Sequence, residues 1–215
     1  MMNMMSAYPI DTLLRTRITN HLRSFKPRRN NHPTLCAAAV AIVIAASTDG
    51  NDACFVLTRR PHRLRRHGGQ YALPGGRVDS HEDAQTAALR ELKEELGLTL
   101  PTTDVMGWLD DFPTRSGFCI SPLVVWAGIR ADIAPNPDEV EAVFRIPLTE
   151  LDGPEIPRLE NIPESDSPVL SAPFPTLGHE VYAPTAAILY QFREVALHGR
   201  TTRVAHYEQP LFEWR

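Results

Sequence analysis

A chain of 215 residues, 43% hydrophobic and 22% charged, carries enough apolar material for one folded domain with a small terminal elaboration, which excludes a disordered or fibrous class. The net charge of -4 hides an asymmetry: residues 1–75 hold a balance of +8 and residues 76–215 one of -12, a split that suits an enzyme handling a polyanion with cationic groups for phosphate and carboxylates for a metal. Three widely spaced cysteines (Cys36, Cys54, Cys119) without a CxxC pair argue against a disulfide framework or a zinc site, and the longest apolar run, Leu35–Ala46, is too short to cross a bilayer.

The first residues have no basic stretch followed by an apolar one, so no signal peptide is read there and a cytoplasmic location is expected. Ile10, Leu13, Leu14, Ile18, Leu22 and Phe25 recur at helical spacing and predict an amphipathic helix over 10–26, a packing or homodimer element that Pro27 ends. A linker over 28–33 leads to a buried strand over 35–46, a turn at Asp49–Asp52 and a second strand over 53–58. A basic loop spans 61–69, and a short strand over 71–73 runs into Pro74-Gly75-Gly76. Asp83 is a suitable N-cap for a helix whose core stripe is Ala84, Ala88, Leu92 and Leu96, with Gly97 closing it. Strands over 104–111 and 120–129, joined by a loop over 112–118, are expected next. A turn at 135–138 follows, and Glu139–Arg145 leads into Ile146-Pro147-Leu148. The proline-studded stretch 152–176 reads as an irregular loop or ragged hairpin, 185–197 as a helix, and 201–213 as an extended tail. The expected organisation is an N-terminal helix and linker (1–33), one domain (34–200) and a C-terminal tail (201–215).

The central helix carries the chemistry. Glu91, Glu94 and Glu95 fall within about 100° of arc and project together. Glu82, just before the N-cap, can fold back toward them, and Arg90 can hold a neighbouring carboxylate by a forked ion pair. Clustered carboxylates raise each other's pKa unless a cation neutralises them, and hard oxygen ligands point to Mg²⁺ or a similar ion. Gly75 and Gly76 let backbone approach an ion or a phosphate closely.

Gly76, Glu82, Arg90, Glu91, Leu92, Glu94, Glu95, Gly97 and Leu98 together resemble the Nudix box, G-x5-E-x7-R-E-U-x-E-E-x-G-U with U aliphatic, and depart from it at no position. The resemblance implies an α/β (α+β) fold, a mixed β-sheet sandwiched between α-helices, and hydrolysis of a nucleoside diphosphate linked to another moiety. It implies Mg²⁺ or Mn²⁺ held by Glu91, Glu94 and Glu95 with support from Glu82, Glu94 acting in catalysis, and Arg90 orienting a catalytic glutamate. Glu139 is by the same resemblance a further metal ligand or a general base.

Ahead of the box, Val56-Leu57-Thr58-Arg59-Arg60, Arg65, Gly69 and Leu73-Pro74-Gly75-Gly76 resemble the motif of coenzyme A diphosphatases within that superfamily. Asp110-Asp111, Thr114 and Ser116-Gly117-Phe118 resemble its D-D-x-x-T-x-S-G-F segment. This implies cleavage of coenzyme A or an acyl-coenzyme A, with Arg60, Arg65, Gly69, Gly75 and Gly76 at the substrate; Arg forks suit its phosphates. Pro61 and Leu73 stand where that motif has a small residue and an aromatic one, and only Thr185-Ala186 survive of a later I-W-G-x-T-A run. Those departures keep open ADP-ribose, a dinucleoside polyphosphate or a modified nucleoside triphosphate as substrate. A catalytically idle nucleotide sensor is the rival from another class. The basic stretch 15–29 lacks interleaved aromatics, so neither nucleic acid nor membrane is an expected partner.

Overall fold

The computed structural model describes residues 7–30, 33–62, 69–129 and 131–214, and its central feature is a parallel pairing between distant segments. Strand β1 (Cys36–Ala46) lies beside the strand Phe118–Gly128, with Cys36 opposite Phe118 and Ala45 opposite Gly128. Parallel neighbours need a long crossover, and this one carries the glycine-capped helix.

On its other edge β1 is shared. Its far end pairs antiparallel with β2 (Ala53–Arg59), while Ala38–Val40 pair with β4 (Gly75–Arg77). The short β3 (Tyr71–Ala72) also pairs with β2 and brings the chain from the basic loop to those glycines. After the helix α2 (Ala84–Leu96), β5 (Val105–Trp108) and β6 (Phe112–Pro113) both pair with β7 (Phe118–Gly128), and β8 (Ala142–Pro147) covers the outer edge of β2. The result is an eight-stranded mixed sheet.

Both faces of β1 are buried, which is why its sequence is an unbroken apolar run. Ile42, Ile44 and Ala46 face a core that includes Leu14, Ile18 and Leu22 of α1 (Thr12–Ser24). Ala39, Ala41, Val43 and Ala45 face Ala87, Ala88, Leu92 and Leu96 of α2 on the other side. Small side chains on both partners let α2 approach the sheet closely. With helices on both faces, the sheet is sandwiched. Asp11 caps α1 by accepting from the Leu14 N–H at 2.7 Å. Leu13, grouped with the apolar face by its spacing, is 78% exposed and points to solvent.

Two stretches differ from expectation. The chain leaves β5 before 109 because Asp110 and Asp111 turn inward: Asp110 accepts from the Arg28 N–H at 2.7 Å and Asp111 from the Asn30 N–H at 2.8 Å. β6 then forms inside the expected loop. The proline-rich 152–176 stretch begins just after the short α3 (Leu148–Leu151) and holds β9 (Arg158–Glu160) and β10 (Val169–Phe174). With β11 (His179–Tyr182) they form a three-stranded antiparallel sheet, anchored where Phe174 meets Phe55 edge-on at 5.4 Å. Pro163, Pro168 and Pro175 flank its strands and Pro173 lies within β10, opposite Glu180, so the strand pattern is hidden. Helix α4 (Thr185–Phe192) continues through a π-helical turn at Arg193–Leu197, which packs on α1. Among the described residues no helix is long and apolar enough to cross a membrane.

Candidate functional site

Local chemistry fixes α2 at both ends. The Asp83 side chain accepts from the Thr86 N–H at 2.8 Å. Gly97 adopts φ +67°, and its N–H and that of Leu98 close the last turn on Lys93 and Leu92. The helix end also organises the chain beyond it. The Ala134 and Asn136 N–H groups bond to the Leu96 and Glu95 carbonyls, each at 2.9 Å, and Glu139 N–H bonds to the Asn136 carbonyl. The exposed Glu139 carboxylate is thereby brought to the same cleft as α2.

Between helix and sheet, Gly76 leaves room for the Glu91 carboxylate, and Gly75 lets its strand lie close against β1. A Cβ on Gly76 would lie 2.2 Å from Glu91 Oε1, and one on Gly75, at φ +149°, would lie 2.3 Å from the Ala39 carbonyl oxygen. The Gly75 N–H donates to Glu95 Oε2 at 3.1 Å. Glu95 is only 5% exposed, and burial pushes its carboxyl up to about 8 against the pull of that N–H; Glu91 and Glu139 push the same way and Arg60 opposes them. Burial raises the Glu91 carboxyl too, against the effect of Arg90.

Arg90 is the hub of the rest. It donates to Glu82 from Nε and Nη2 (3.2 and 2.8 Å), to Glu91 and Glu94 from Nη1 (3.0 and 2.7 Å), and to the Arg77 carbonyl from Nη2 (3.1 Å). Glu82 has folded back from the loop, its side chain 4% exposed, and its carboxyl is held low chiefly by the Arg90 hydrogen bonds. The carboxylates are thus gathered around a guanidinium. Among the described residues no three acidic, His or Cys side chains converge as a ready metal cage. Glu91 and Glu94 would have to release Arg90 and turn toward Glu95 to share an ion. The donor set itself suits a hard cation: all oxygen, clustered, with the carboxyls of half-buried Glu91 and buried Glu95 raised chiefly by burial.

A cleft of about 1250 Å³ covers this face. Gly75, Gly76, Glu91, Glu94, Glu95, Glu139 and Arg60 all line it. The Arg60 Nε is buried and has no hydrogen-bond partner among the described residues. Gly69, at φ +76°, closes the basic loop through its N–H to the Arg60 carbonyl. Arg65, together with Arg63, Arg66 and His67, lies outside the described residues. Leu73 is 4% exposed, belongs to the core cluster and reaches the wall of the cleft.

The C-terminal part of the far wall of the cleft was not anticipated. Arg115, Phe118, Glu180, Tyr182, Phe212 and Trp214 line it. Phe212 and Trp214 belong to a stretch read as an extended tail, which instead ends in a 3₁₀ turn over Leu211–Trp214 and gave no reason to be placed here. Aromatics in an otherwise polar tail were the available signal. Asp110 and Asp111, by contrast, serve the fold: Gln191, Arg203 and Arg29 join the backbone donors already named.

A family model described as NUDIX domain matches residues 37–170. Nudix hydrolase 3 of Caenorhabditis elegans is 35% identical over 132 residues, covering 57% of this chain and 55% of that protein. A protein called uncharacterized Nudix hydrolase NudL from Citrobacter koseri is 40% identical over 96 residues, covering 44% of this chain and 50% of that protein. The chain spans about half the length of these curated relatives. Among solved structures, the MutT protein of Methanosarcina mazei Go1 is similar at 23% identity and a TM-score of 0.44, covering 61% of this chain and 86% of that one.

Proposed function

We propose that this chain, which belongs to the NUDIX domain family, hydrolyses the diphosphate bond of a nucleotide joined to a second group, and that coenzyme A or an acyl-coenzyme A is that nucleotide. The products would be 3′,5′-ADP and a phosphopantetheine. The observation that carries the reading is the convergence of Glu91, Glu94, Glu95, Glu139 and Arg60 on one cleft, with two of the carboxyls raised by burial.

The residues divide the work. Gly75 and Gly76 line the cleft beside the carboxylates, where the reacting phosphates would lie. Arg60 lines the cleft and can bring its guanidinium to the phosphate oxygens, its buried Nε having no partner among the described residues. Arg90 anchors Glu82 by two hydrogen bonds and pairs Glu91 and Glu94 until an ion draws them away. Glu139, exposed at the rim, can accept a proton from an attacking water. A divalent ion, Mg²⁺ or Mn²⁺, would be held by Glu91, Glu94 and Glu95 with Glu82 behind them, and would neutralise phosphate charge and polarise water.

The burial of Leu73, where the coenzyme A motif has an aromatic, favours testing ADP-ribose, a dinucleoside polyphosphate and nucleoside triphosphates alongside. Purified protein with Mg²⁺ or Mn²⁺ is given each substrate and the products are identified by mass. Release of 3′,5′-ADP from coenzyme A supports the assignment. Intact coenzyme A beside a cleaved alternative transfers it to that alternative, and no cleavage of any diphosphate refutes the activity.

A further inference from the structure

The cleft runs well past the carboxylates, and its far wall combines Arg115 and Phe118 with residues of a C-terminal segment outside the matched family region. That segment is pinned. Glu208 is 6% exposed and accepts from Arg115 Nε at 3.2 Å and from Nη2 at 2.5 Å. Gln209 is equally buried, its carbonyl accepts from Trp214 Nε1 at 2.8 Å, and its side chain meets the Arg115 N–H at 3.4 Å. These bonds set the Arg115 guanidinium over the Trp214 ring, 4.6 Å from its centroid. Phe212, two residues earlier, stands edge-on to Tyr182 at 5.6 Å, lines the cleft and is 58% exposed.

We propose that Phe212 and Trp214, braced by Tyr182 and Arg115, form the subsite that stacks the base of the nucleotide, so that the segment after residue 207 sets specificity for the nucleoside half. The inference rests on the proposed diphosphate chemistry for its orientation, since the reacting phosphates belong at the carboxylate end. Three features select a base over a flexible acyl or pantetheine chain. The wall is made of planar rings and a guanidinium, which bind π-faces. Phe212 is an exposed ring held edge-on by another aromatic, Tyr182. Glu180 and Ser116 line the same wall and can accept from or donate to a base edge.

The test uses binding, not turnover, and so is separable from the hydrolytic assignment. Isothermal titration compares 5′-AMP, ribose 5-phosphate and 4′-phosphopantetheine on the full chain, on Phe212→Ala and Trp214→Ala, and on the conservative Phe212→Tyr. The expected result is AMP binding about tenfold or more tighter than ribose 5-phosphate, a preference that falls to about twofold in either alanine variant and returns in Phe212→Tyr. Circular dichroism confirms that each variant is folded; Phe212, being exposed, gives the variant least able to unfold the chain. Equal binding of AMP and ribose 5-phosphate by the unmodified chain overturns the proposal. So does an undiminished AMP preference in Phe212→Ala, or a loss confined to 4′-phosphopantetheine. If the substrate panel fails while the AMP preference disappears in the variants, the subsite stands and the hydrolytic reading alone falls.

Discussion

Replacing Glu95 by Gln tests the electrostatic core of the site without recourse to activity. The Glu95 carboxyl sits at about 8 instead of its ordinary 4.5, chiefly through burial. A raised carboxyl means that the native state holds a proton which the unfolded chain has already released between those values. The native state therefore loses stability as pH rises from about 4.5 toward 8. At 1.36 kcal/mol per unit, the destabilisation is roughly 1 kcal/mol at pH 5 and roughly 4 kcal/mol at pH 8. Glu95→Gln removes the titration while its amide oxygen can still accept from the Gly75 N–H. Any constant cost of the substitution is the same at both pH values and cancels. Urea unfolding in EDTA should thus show the variant gaining roughly 3 kcal/mol on the unmodified protein between pH 5 and pH 8. Adding Mg²⁺ at pH 8 should return stability to the unmodified protein, by about 2.7 kcal/mol at a hundredfold excess over Kd, and do far less for the variant. A stability difference that stays flat with pH would refute the buried, unmatched carboxyl. A Mg²⁺ response equal in both proteins would refute the proposed role of Glu95 toward the ion.

Gly76→Ala drives a methyl group to within 2.2 Å of Glu91 Oε1, so the carboxylate must swing away; Mg²⁺ affinity measured by calorimetry should fall on the order of 10- to 100-fold with the melting temperature little changed. Arg90→Ala releases Glu82, Glu91 and Glu94 together, and kcat should drop roughly 10- to 100-fold, with Arg90→Lys recovering little because an ammonium cannot fork; equal activity of Arg90→Lys and the unmodified protein would deny the forked role. Glu208 has its carboxyl held low chiefly by the Arg115 hydrogen bonds, so its contribution is present above the ordinary value of 4.5 and is lost as pH falls through the lower folded one. Because Arg115 is about half exposed, Glu208→Gln should cost about 1 kcal/mol at pH 7 and almost nothing at pH 2, read from thermal melts at the two values.

What could be read from the sequence was what neighbours in the chain decide. Helix α2 is specified by its own Asp83 cap, its four-residue apolar stripe and the left-handed Gly97, so its extent and the clustering of its carboxylates follow from local rules. The split use of β1, with β2 at one end and β4 at the other, was beyond reach because an apolar run buried on both faces looks the same whichever strands flank it. The β9–β11 sheet was obscured for a different reason. Proline density between residues 154 and 175 lowers any strand reading, yet the burial of Val169, Leu170, Ala172 and Phe174 against the core outweighs local propensity. Phe212 and Trp214 were placed by Glu208 reaching Arg115 across 93 residues, an ion pair that no spacing rule can foresee.

The arrangement around Arg90 gives the site its character. A forked arginine between three carboxylates lets the helix fold without an ion, because the negative charge of Glu82, Glu91 and Glu94 is met from within the chain. Glu95 is left out of that arrangement: it lies against Gly75 with one backbone N–H, far too little to hold a buried anion, and it keeps its proton instead. Binding a divalent ion would therefore exchange two partnerships at once, taking Glu91 and Glu94 from the guanidinium and the proton from Glu95. Proton release on Mg²⁺ addition follows as a consequence distinct from any rate, and it should approach one per site at pH 7 and dwindle above pH 9, as Glu95 is already ionised there. Unbuffered titration with a pH electrode reads it directly, and release that persists undiminished at pH 9 would place the displaced proton on some other group.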